Sequence, residues 1–555
     1  MKLLLLVLTA FSLYLEATIF NSKAIVHPEV GKNGMVVSQH YLATNAGHSI
    51  LAEGGNAYDA SIAVAFALAV VLPRAGNIGG GGFMVMFDEA SQKSYSIDYR
   101  EIAPEAATKN MFLAADGSVD KKIATQGVLS IGVPGTVYGM WEVHKKFGSL
   151  PWSELLAPAI ELAEDGFLIS PFMADALNKR YKKLGKYKNF KNIFYSNYPV
   201  QMHQRLKQPH LANTLKIIST NGVKGFYEGQ VAAKIDSYMK ESGGLITKKD
   251  LKNYRPIWRE ALHSNFNEYK IVTMGPPSSG GVHVIQMLNI LENFDLAEIG
   301  HNEPEYIRIL VEAMKQATID KDAFVGDPAF VEVPIEHLLS KKYAAEIAHR
   351  IRKREKAEVE RYQGGLEESR DTTHIVVRDR DGNIVTMTHS LGMPSGVITD
   401  GLGFMYNGCM GVFDPRPGRA GSVGPGKSRF SSLCPTIVFD GDRPVIALGA
   451  PGGTQIAMGV MQTILNMLDF KMSPVEAVSA PRISATSNVI DIANRIPNYA
   501  IEPLEAEGYQ VQRSPLTFAF SAPHAIDFYP NKKLRGGGDP SHDGAALTVR
   551  QGSMQ

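Results

Sequence analysis

Apolar positions along this chain recur with the strand period at both ends and with the helical period in the middle. Residues 35–38 (Met-Val-Val-Ser) form a short run that predicts a strand. Residues 43–53 carry helical spacing and run into Gly54-Gly55, a usual way for a helix to stop. Residues 57–72 are apolar on every face apart from Asp59 and Ser61, and Pro73 follows. The stretch is short of the roughly 20 residues that cross a bilayer, so it predicts a buried core helix. Past the glycine run 79–82, residues 83–88 and 95–100 predict paired strands around a polar turn. Residues 150–360 have a helical texture, broken by loops such as 275–281. From Thr372 the period changes to two: residues 372–378 and 384–390 flank Asp379-Arg-Asp-Gly-Asn383, a hairpin pattern. A second hairpin is predicted from 436–439 and 445–449, and Pro451-Gly452-Gly453 then opens a helix over 454–468. Strands with helices before and after them predict a layered sheet-and-helix fold.

Composition narrows the class. The 555 residues are 44% hydrophobic and 20% charged, enough for a large core. Lys and Arg (57) balance Asp and Glu (56), so no electrostatic footprint for nucleic acid or an anionic membrane is present. Met1-Lys2 followed by a short apolar run reads as a secretory signal, residues 1–24, with cleavage after Ala24 or, alternatively, after Ala17. The mature protein is then periplasmic or secreted, with no membrane span. Two cysteines, Cys409 and Cys434, permit a disulfide or two buried thiols equally. No Asn-x-Ser/Thr sequon occurs, which favours a bacterial exported protein.

The chemistry has few sources. Metal-ligand spacings, a nucleotide-binding lysine after a glycine loop and a Gly-x-Ser-x-Gly elbow are all missing, so no metal and no cofactor is expected. Gly79–Gly82 precedes a strand and predicts close packing against another backbone. The remaining candidate is Asp371-Thr372-Thr373-His374 at a strand start, which alone reads as a turn leading into a β-former.

Its context changes that weighting. The stretch resembles the processing site of the gamma-glutamyltransferase family. The resemblance continues through Asp381-Gly382-Asn383, Ser431-Ser432-Leu433-Cys434-Pro435-Thr436, Pro451-Gly452-Gly453-Thr454-Gln455 and Asp543-Gly544-Ala545-Ala546. Upstream it takes in Gly54-Gly55-Asn56-Ala57, Gly80-Gly81-Gly82-Phe83, Asp98-Tyr99-Arg100-Glu101 and Gly132-Val133-Pro134-Gly135. It implies an α+β fold, the four-layer αββα sandwich of N-terminal nucleophile hydrolases. It also implies self-cleavage between Asp371 and Thr372 into a large chain, residues 25–371, and a small chain, residues 372–555, held as one intertwined heterodimer. An N-terminal threonine carries its own base, since a free α-amino group has a pKa of about 7.7–8.0. The resemblance makes Thr372 the nucleophile, Ser390 the hydroxyl that orients it, Gly452 and Gly453 the oxyanion hole, and Arg100, Ser431 and Ser432 the substrate-carboxylate contacts. The substrates it implies are glutathione or other gamma-glutamyl compounds, with water, amino acids or peptides as acyl acceptors.

Two positions depart from the family. Gly392 stands where the family usually has Asn, and Val412 where it has the Asp that faces the substrate α-amino group; Asp414 follows two residues on. The loop 414–430 is short and lacks Tyr, as in members without a lid. Three readings follow: a glutathione hydrolase, a related acylase for a non-glutamyl carboxylate-bearing amide, and an inactive binding homologue.

Overall fold

Two seven-stranded antiparallel sheets face each other in the computed structural model, which describes residues 27–359 and 371–550. The signal predicted over residues 1–24 lies outside the described residues. In chain order the strands are β1 (Glu29–Gly31), β2 (Gly34–Ser38), β3 (Gly81–Asp88), β4 (Lys93–Asp98), β5 (Ile257–Arg259), β6 (Leu262–Phe266) and β7 (Tyr269–Thr273). After Asp371 come β8 (Asp371–Asp379), β9 (Ile384–Gly392), β10 (Thr436–Asp440), β11 (Arg443–Gly449), β12 (His524–Phe528), β13 (Leu534–Gly538) and β14 (Ala545–Thr548). The first sheet runs β1-β13-β12-β11-β10-β7-β6, the second β14-β2-β8-β9-β3-β4-β5. Both sheets therefore mix strands from before and after Asp371.

Alternation along the strands sets the layers. Consecutive strand residues point to opposite faces. Met35, Val37, Phe83, Val85 and Val376 lie on the same inter-sheet side as Val272, Ile437 and Phe439 of the facing sheet; the Phe87 and Phe439 rings, one from each sheet, are 5.4 Å apart. Their neighbours Val36, Met84, Ile375, Val377 and Val385 face outward into the helical layer. That layer contains α1 (Tyr41–Ala52) and α2 (Ala57–Val71). On the far side, α3 (Ser279–Leu291) and α5 (Ile456–Leu468) cover the first sheet, and α4 (Pro304–Phe324) packs on α3. The result is the α+β, four-layer αββα arrangement.

Local chemistry explains the helix limits. α1 begins at Tyr41, two residues earlier than its pattern predicts, because His40 Nδ1 accepts the Leu42 N–H at 3.2 Å and caps it. All fifteen residues of α2 are buried, as apolarity on every face requires. Its Asp59 is accommodated through a capping box with Asn56 and by accepting the N–H groups of Ser149 and Leu150 at 3.1 and 3.3 Å. The helix expected at 454–468 starts as a 3₁₀ turn, Gly453–Gln455, and becomes α-helical only at Ile456. The glycine run is a close approach of backbones: a Cβ on Gly80 would lie 2.5 Å from the Ser390 carbonyl oxygen, and one on Gly81 2.3 Å from that of Tyr99.

Candidate active site

Thr372 lies near the start of β8, an interior strand flanked by β2 and β9, and is 3% exposed. Its cross-strand partner is Ser390, and the register shifts between Asp371 and Thr372, a bulge at the bond preceding Thr372. Thr372 Oγ1 and Ser390 Oγ are 2.8 Å apart. Ser390 Oγ also donates to the Asp371 carbonyl at 2.9 Å and accepts the Gly392 N–H at 2.8 Å. A serine hydroxyl has one proton. A carbonyl can only accept, so that proton points at Asp371, and Thr372 is the donor toward Ser390. The three groups form a relay from the Thr372 hydroxyl to the carbonyl of the preceding residue.

The Asp371 carboxylate is buried and clamped. Arg74 Nη1 and Arg180 Nη2 reach the same oxygen, Oδ1, at 3.1 and 2.8 Å. Arg74 follows α2 and lies over the Phe172 ring at 5.0 Å. Sequence reasoning did not find either arginine: they are 297 and 191 residues from Asp371 and sit in no distinctive motif.

Two residues beyond the nucleophile candidate, His374 stays on the inter-sheet face. Its Nδ1 meets Thr388 Oγ1 at 2.7 Å and its Nε2 meets Thr386 Oγ1 at 3.2 Å. Thr386 donates to the Leu448 carbonyl at 3.0 Å, so it accepts from Nε2–H of His374. Burial first, then His524 and His389, hold the His374 pKa well below its usual value, and the ring is neutral. β11 passes over this ring so closely that a Cβ on Gly449 would lie 2.2 Å from His374 Cε1. The chain leaving β11 reaches Gly452 and Gly453, whose φ angles of 145° and 63° place them where side chains rarely go. They stand at the start of the 3₁₀ turn, where N–H groups have no intrahelical acceptor.

Arg100 follows β4 and is 1% exposed. Its Nη1 donates to the Gly81 carbonyl at 2.6 Å, and Nη2 lies 2.9 Å from Glu101 Oε2. The guanidinium fork expected for a substrate carboxylate is thus partly used within the chain. Ser431 is buried, and its carbonyl accepts both the N–H and the hydroxyl of Ser279, at 2.7 and 3.1 Å. The half-buried Ser432 turns its carbonyl onto Gly280. The serine pair is therefore tied to the loop that opens α3. Cys409 and Cys434 are separate buried thiols, and burial raises the pKa of both. Among the described residues, no cluster of His, Cys, Asp or Glu has a grouping that could hold a metal ion.

The Gamma-glutamyltranspeptidase family model matches residues 43–549. The chain belongs to this family. It is 39% identical over 485 residues to the glutathione hydrolase proenzyme of Pseudomonas sp. (strain A14), covering 84% of each chain. It is 37% identical to the acylase ACY 1 proenzyme of Pseudomonas sp. (strain V22), over 95% of each. Among solved structures, cephalosporin acylase from Bacillus halodurans superposes with a TM-score of 0.86 at 28% identity, covering 95% of this chain and 98% of that one. The fold is that of the N-terminal nucleophile hydrolases, and relatives at similar identity include both glutathione hydrolases and acylases.

The two departures from the family pattern have structural counterparts. Val412 ends a 3₁₀ turn, Cys409–Val412. The Asp414 carboxylate is bound by Arg416, Nε to Oδ1 at 2.9 Å and Nη2 to Oδ2 at 2.6 Å. Gly392 has φ +67°, and Arg429, a residue the motif comparison passed over, fills the space beside it.

Proposed function

We propose that this protein is a self-processing threonine amidohydrolase and acyltransferase that cleaves amides whose acyl chain ends in a carboxylate. The observation that carries this reading is the relay Thr372–Ser390–Asp371. In the uncut chain, Thr372 Oγ adds to the Asp371 carbonyl carbon while the Ser390 proton faces the oxygen that gains charge. The Asp371–Thr372 C–N bond breaks, the nitrogen takes up a proton, and water hydrolyses the resulting ester. The products are a carboxylate at Asp371 and a free amine on Thr372.

The freed amine then serves as base for Thr372 Oγ, which attacks the substrate amide carbonyl. Gly452 and Gly453 donate their N–H groups to the tetrahedral oxyanion. The leaving amine departs, and water or an amino acid or peptide amine takes the acyl group from Thr372. Arg100, Ser431 and Ser432 supply the carboxylate contacts. Large and small chains stay together because each contributes strands to both sheets. Export through residues 1–24 places the enzyme in the periplasm or outside the cell.

The donor is either a gamma-glutamyl compound such as glutathione or a non-glutamyl amide of the acylase kind. The second is favoured by one observation: no carboxylate stands at Val412, and that of Asp414 is bound to Arg416. Turnover of a carboxylate-bearing amide by the processed protein, lost in Thr372→Ala, is the expected result. A processed protein that cleaves neither gamma-glutamyl nor other carboxylate-bearing amides would overturn the proposal.

A further inference from the structure

The relay Thr372–Ser390–Asp371 uses the Asp371 main chain and leaves its side chain unexplained. That carboxylate is buried, and both Arg74 Nη1 and Arg180 Nη2 reach its Oδ1, at 3.1 and 2.8 Å. The two arginines are placed by one segment. Arg74 follows Pro73 at the end of α2, and its guanidinium lies over the Phe172 ring at 5.0 Å. Phe172 sits in the first turn of the helix Pro171–Leu184, and the same helix carries Arg180. Ser170 caps that helix by accepting the Met173 N–H at 3.0 Å, and donates its own proton to Asp543 Oδ2 at 2.5 Å. The His542 ring packs edge-on against Phe172 at 4.6 Å. Asp543 and His542 thus anchor the helix start from the other end of the chain, and the helix sets both cations on Asp371.

The charge of Asp371 matters because this residue is the acyl side of the bond before Thr372. Only Cα and Cβ separate its carboxylate carbon from the carbonyl carbon that Thr372 Oγ would attack. As the Oγ–C bond forms, the carbonyl electron pair moves onto the Asp371 oxygen, and a second negative charge develops beside the first. Like charges this close in a buried site oppose each other strongly. When the pair returns, the C–N bond breaks and the nitrogen takes the proton of the Thr372 hydroxyl, leaving an ester and a free amine. Two guanidiniums on Oδ1 offset the first charge throughout. They also fix the Asp371 side chain, while the main-chain carbonyl stays on Ser390 Oγ at 2.9 Å.

We propose that Arg74 and Arg180 are positioning residues for self-cleavage: they neutralise and hold the Asp371 carboxylate, so that an acidic residue precedes the nucleophile without opposing the oxyanion formed at its own carbonyl. This rests on the self-processing reading above and deepens it. The clamp belongs to the uncut chain, since it acts through a residue that is joined to Thr372 only before cleavage.

The test is a double-mutant cycle on the full-length chain made by cell-free translation, with cleavage followed by intact mass and a thermal melt to establish folding. Arg74→Gln/Arg180→Gln is compared with wild type, and the same pair of substitutions is compared in an Asp371→Asn background. With Asp371 in place, loss of both arginines is expected to slow cleavage on the order of 10²-fold. With Asp371→Asn, the same loss is expected to cost less than about fivefold, because no carboxylate remains to be neutralised. A merely structural role would cost the same in both backgrounds, and that result would overturn the proposal. So would a folded Arg74→Gln/Arg180→Gln chain that cleaves as fast as wild type. If the double variant does not fold, Arg180→Gln decides, since that side chain is 27% exposed. It is expected to cleave roughly tenfold more slowly than wild type, with the deficit removed by Asp371→Asn; a deficit that persists would overturn the clamp. A folded wild-type chain that never cleaves removes the self-processing reading and the clamp together, whereas cleavage of wild type with equal arginine effects in both backgrounds removes the clamp alone.

Discussion

Replacing Ser390 with alanine removes three hydrogen bonds at one atom and separates a chemical role from a packing role. The Gly392 N–H loses its acceptor and the Asp371 carbonyl loses its donor, both in buried surroundings. Each buried group left unpaired costs about 1–3 kcal/mol, so the folded state weakens by a few kcal/mol. The effect on self-cleavage is larger than that loss of stability explains. The Ser390 proton points at the Asp371 carbonyl oxygen, which becomes negative in the proposed attack by Thr372, and removing one such donor costs about 10²–10³ in rate, or about 2.7–4 kcal/mol. Ser390→Ala is therefore expected to process 10²–10³-fold more slowly. Ser390→Thr, which keeps the hydroxyl, is expected to remain within about tenfold of wild type, a loss of about 1.4 kcal/mol. The assay is a time course of intact mass after refolding, with a thermal melt of each variant to establish that it is folded. A folded Ser390→Ala chain that cleaves as fast as wild type would refute the relay. So would a folded Ser390→Thr as slow as the alanine variant.

Three further outcomes follow from the geometry. Arg100→Gln lowers kcat/KM for carboxylate-bearing donors far more than it slows self-cleavage; equal loss in both assays would assign Arg100 to holding Gly81 and Glu101 alone. Gly449→Ala drives a methyl into the His374 ring, and overpacking of this kind costs about 1–3 kcal/mol; an unchanged urea midpoint would contradict the close approach. The fold is acid-labile through its buried histidines: burial pushes His40 down to about 4, and burial then Arg100 push His389 down to about 3, from the usual 6.5. Below pH 6.5 the unfolded chain takes up protons that the folded one refuses. Stability is therefore full above that value and falls toward pH 4 and 3, by about 1.4 kcal/mol per pH unit per histidine. Urea unfolding of wild type and His389→Asn between pH 7.5 and 4.5 checks this, the variant showing the shallower slope. Equal slopes would remove His389 from the account.

Much of the frame was legible because its signals are local. The all-apolar stretch at 57–72, the hairpin around Asp379–Asn383 and the strand carrying Thr372 are visible in the order of residues. The β6–β7 hairpin was not, because β6 is an edge strand with exposed Leu-His-Ser-Asn alternation set in a helical stretch, turning through Asn267 at φ 49°. The C-terminal strands β12 to β14 were missed too, although each pairs with buried neighbours: β13 is largely glycine and offers no side-chain period to read. In the candidate site, Thr372 and Ser390 could be placed by motif because the hairpin sets their register. Arg74, Arg180 and Arg429 could not, because what gives each its place is a contact with residues far away in the chain. Asp414, two residues past Val412, shows the same limit. Its spacing sets it two residues along the backbone from the family position, and only the side-chain contacts show that Arg416 holds it.

The most direct test of the central claim is the intact mass of the denatured wild-type protein beside Thr372→Ala. The account predicts two masses for wild type, one chain ending at Asp371 and one beginning at Thr372, and a single uncut mass for the variant. A single mass for wild type after long incubation, or cleavage at the same bond in Thr372→Ala, would contradict it.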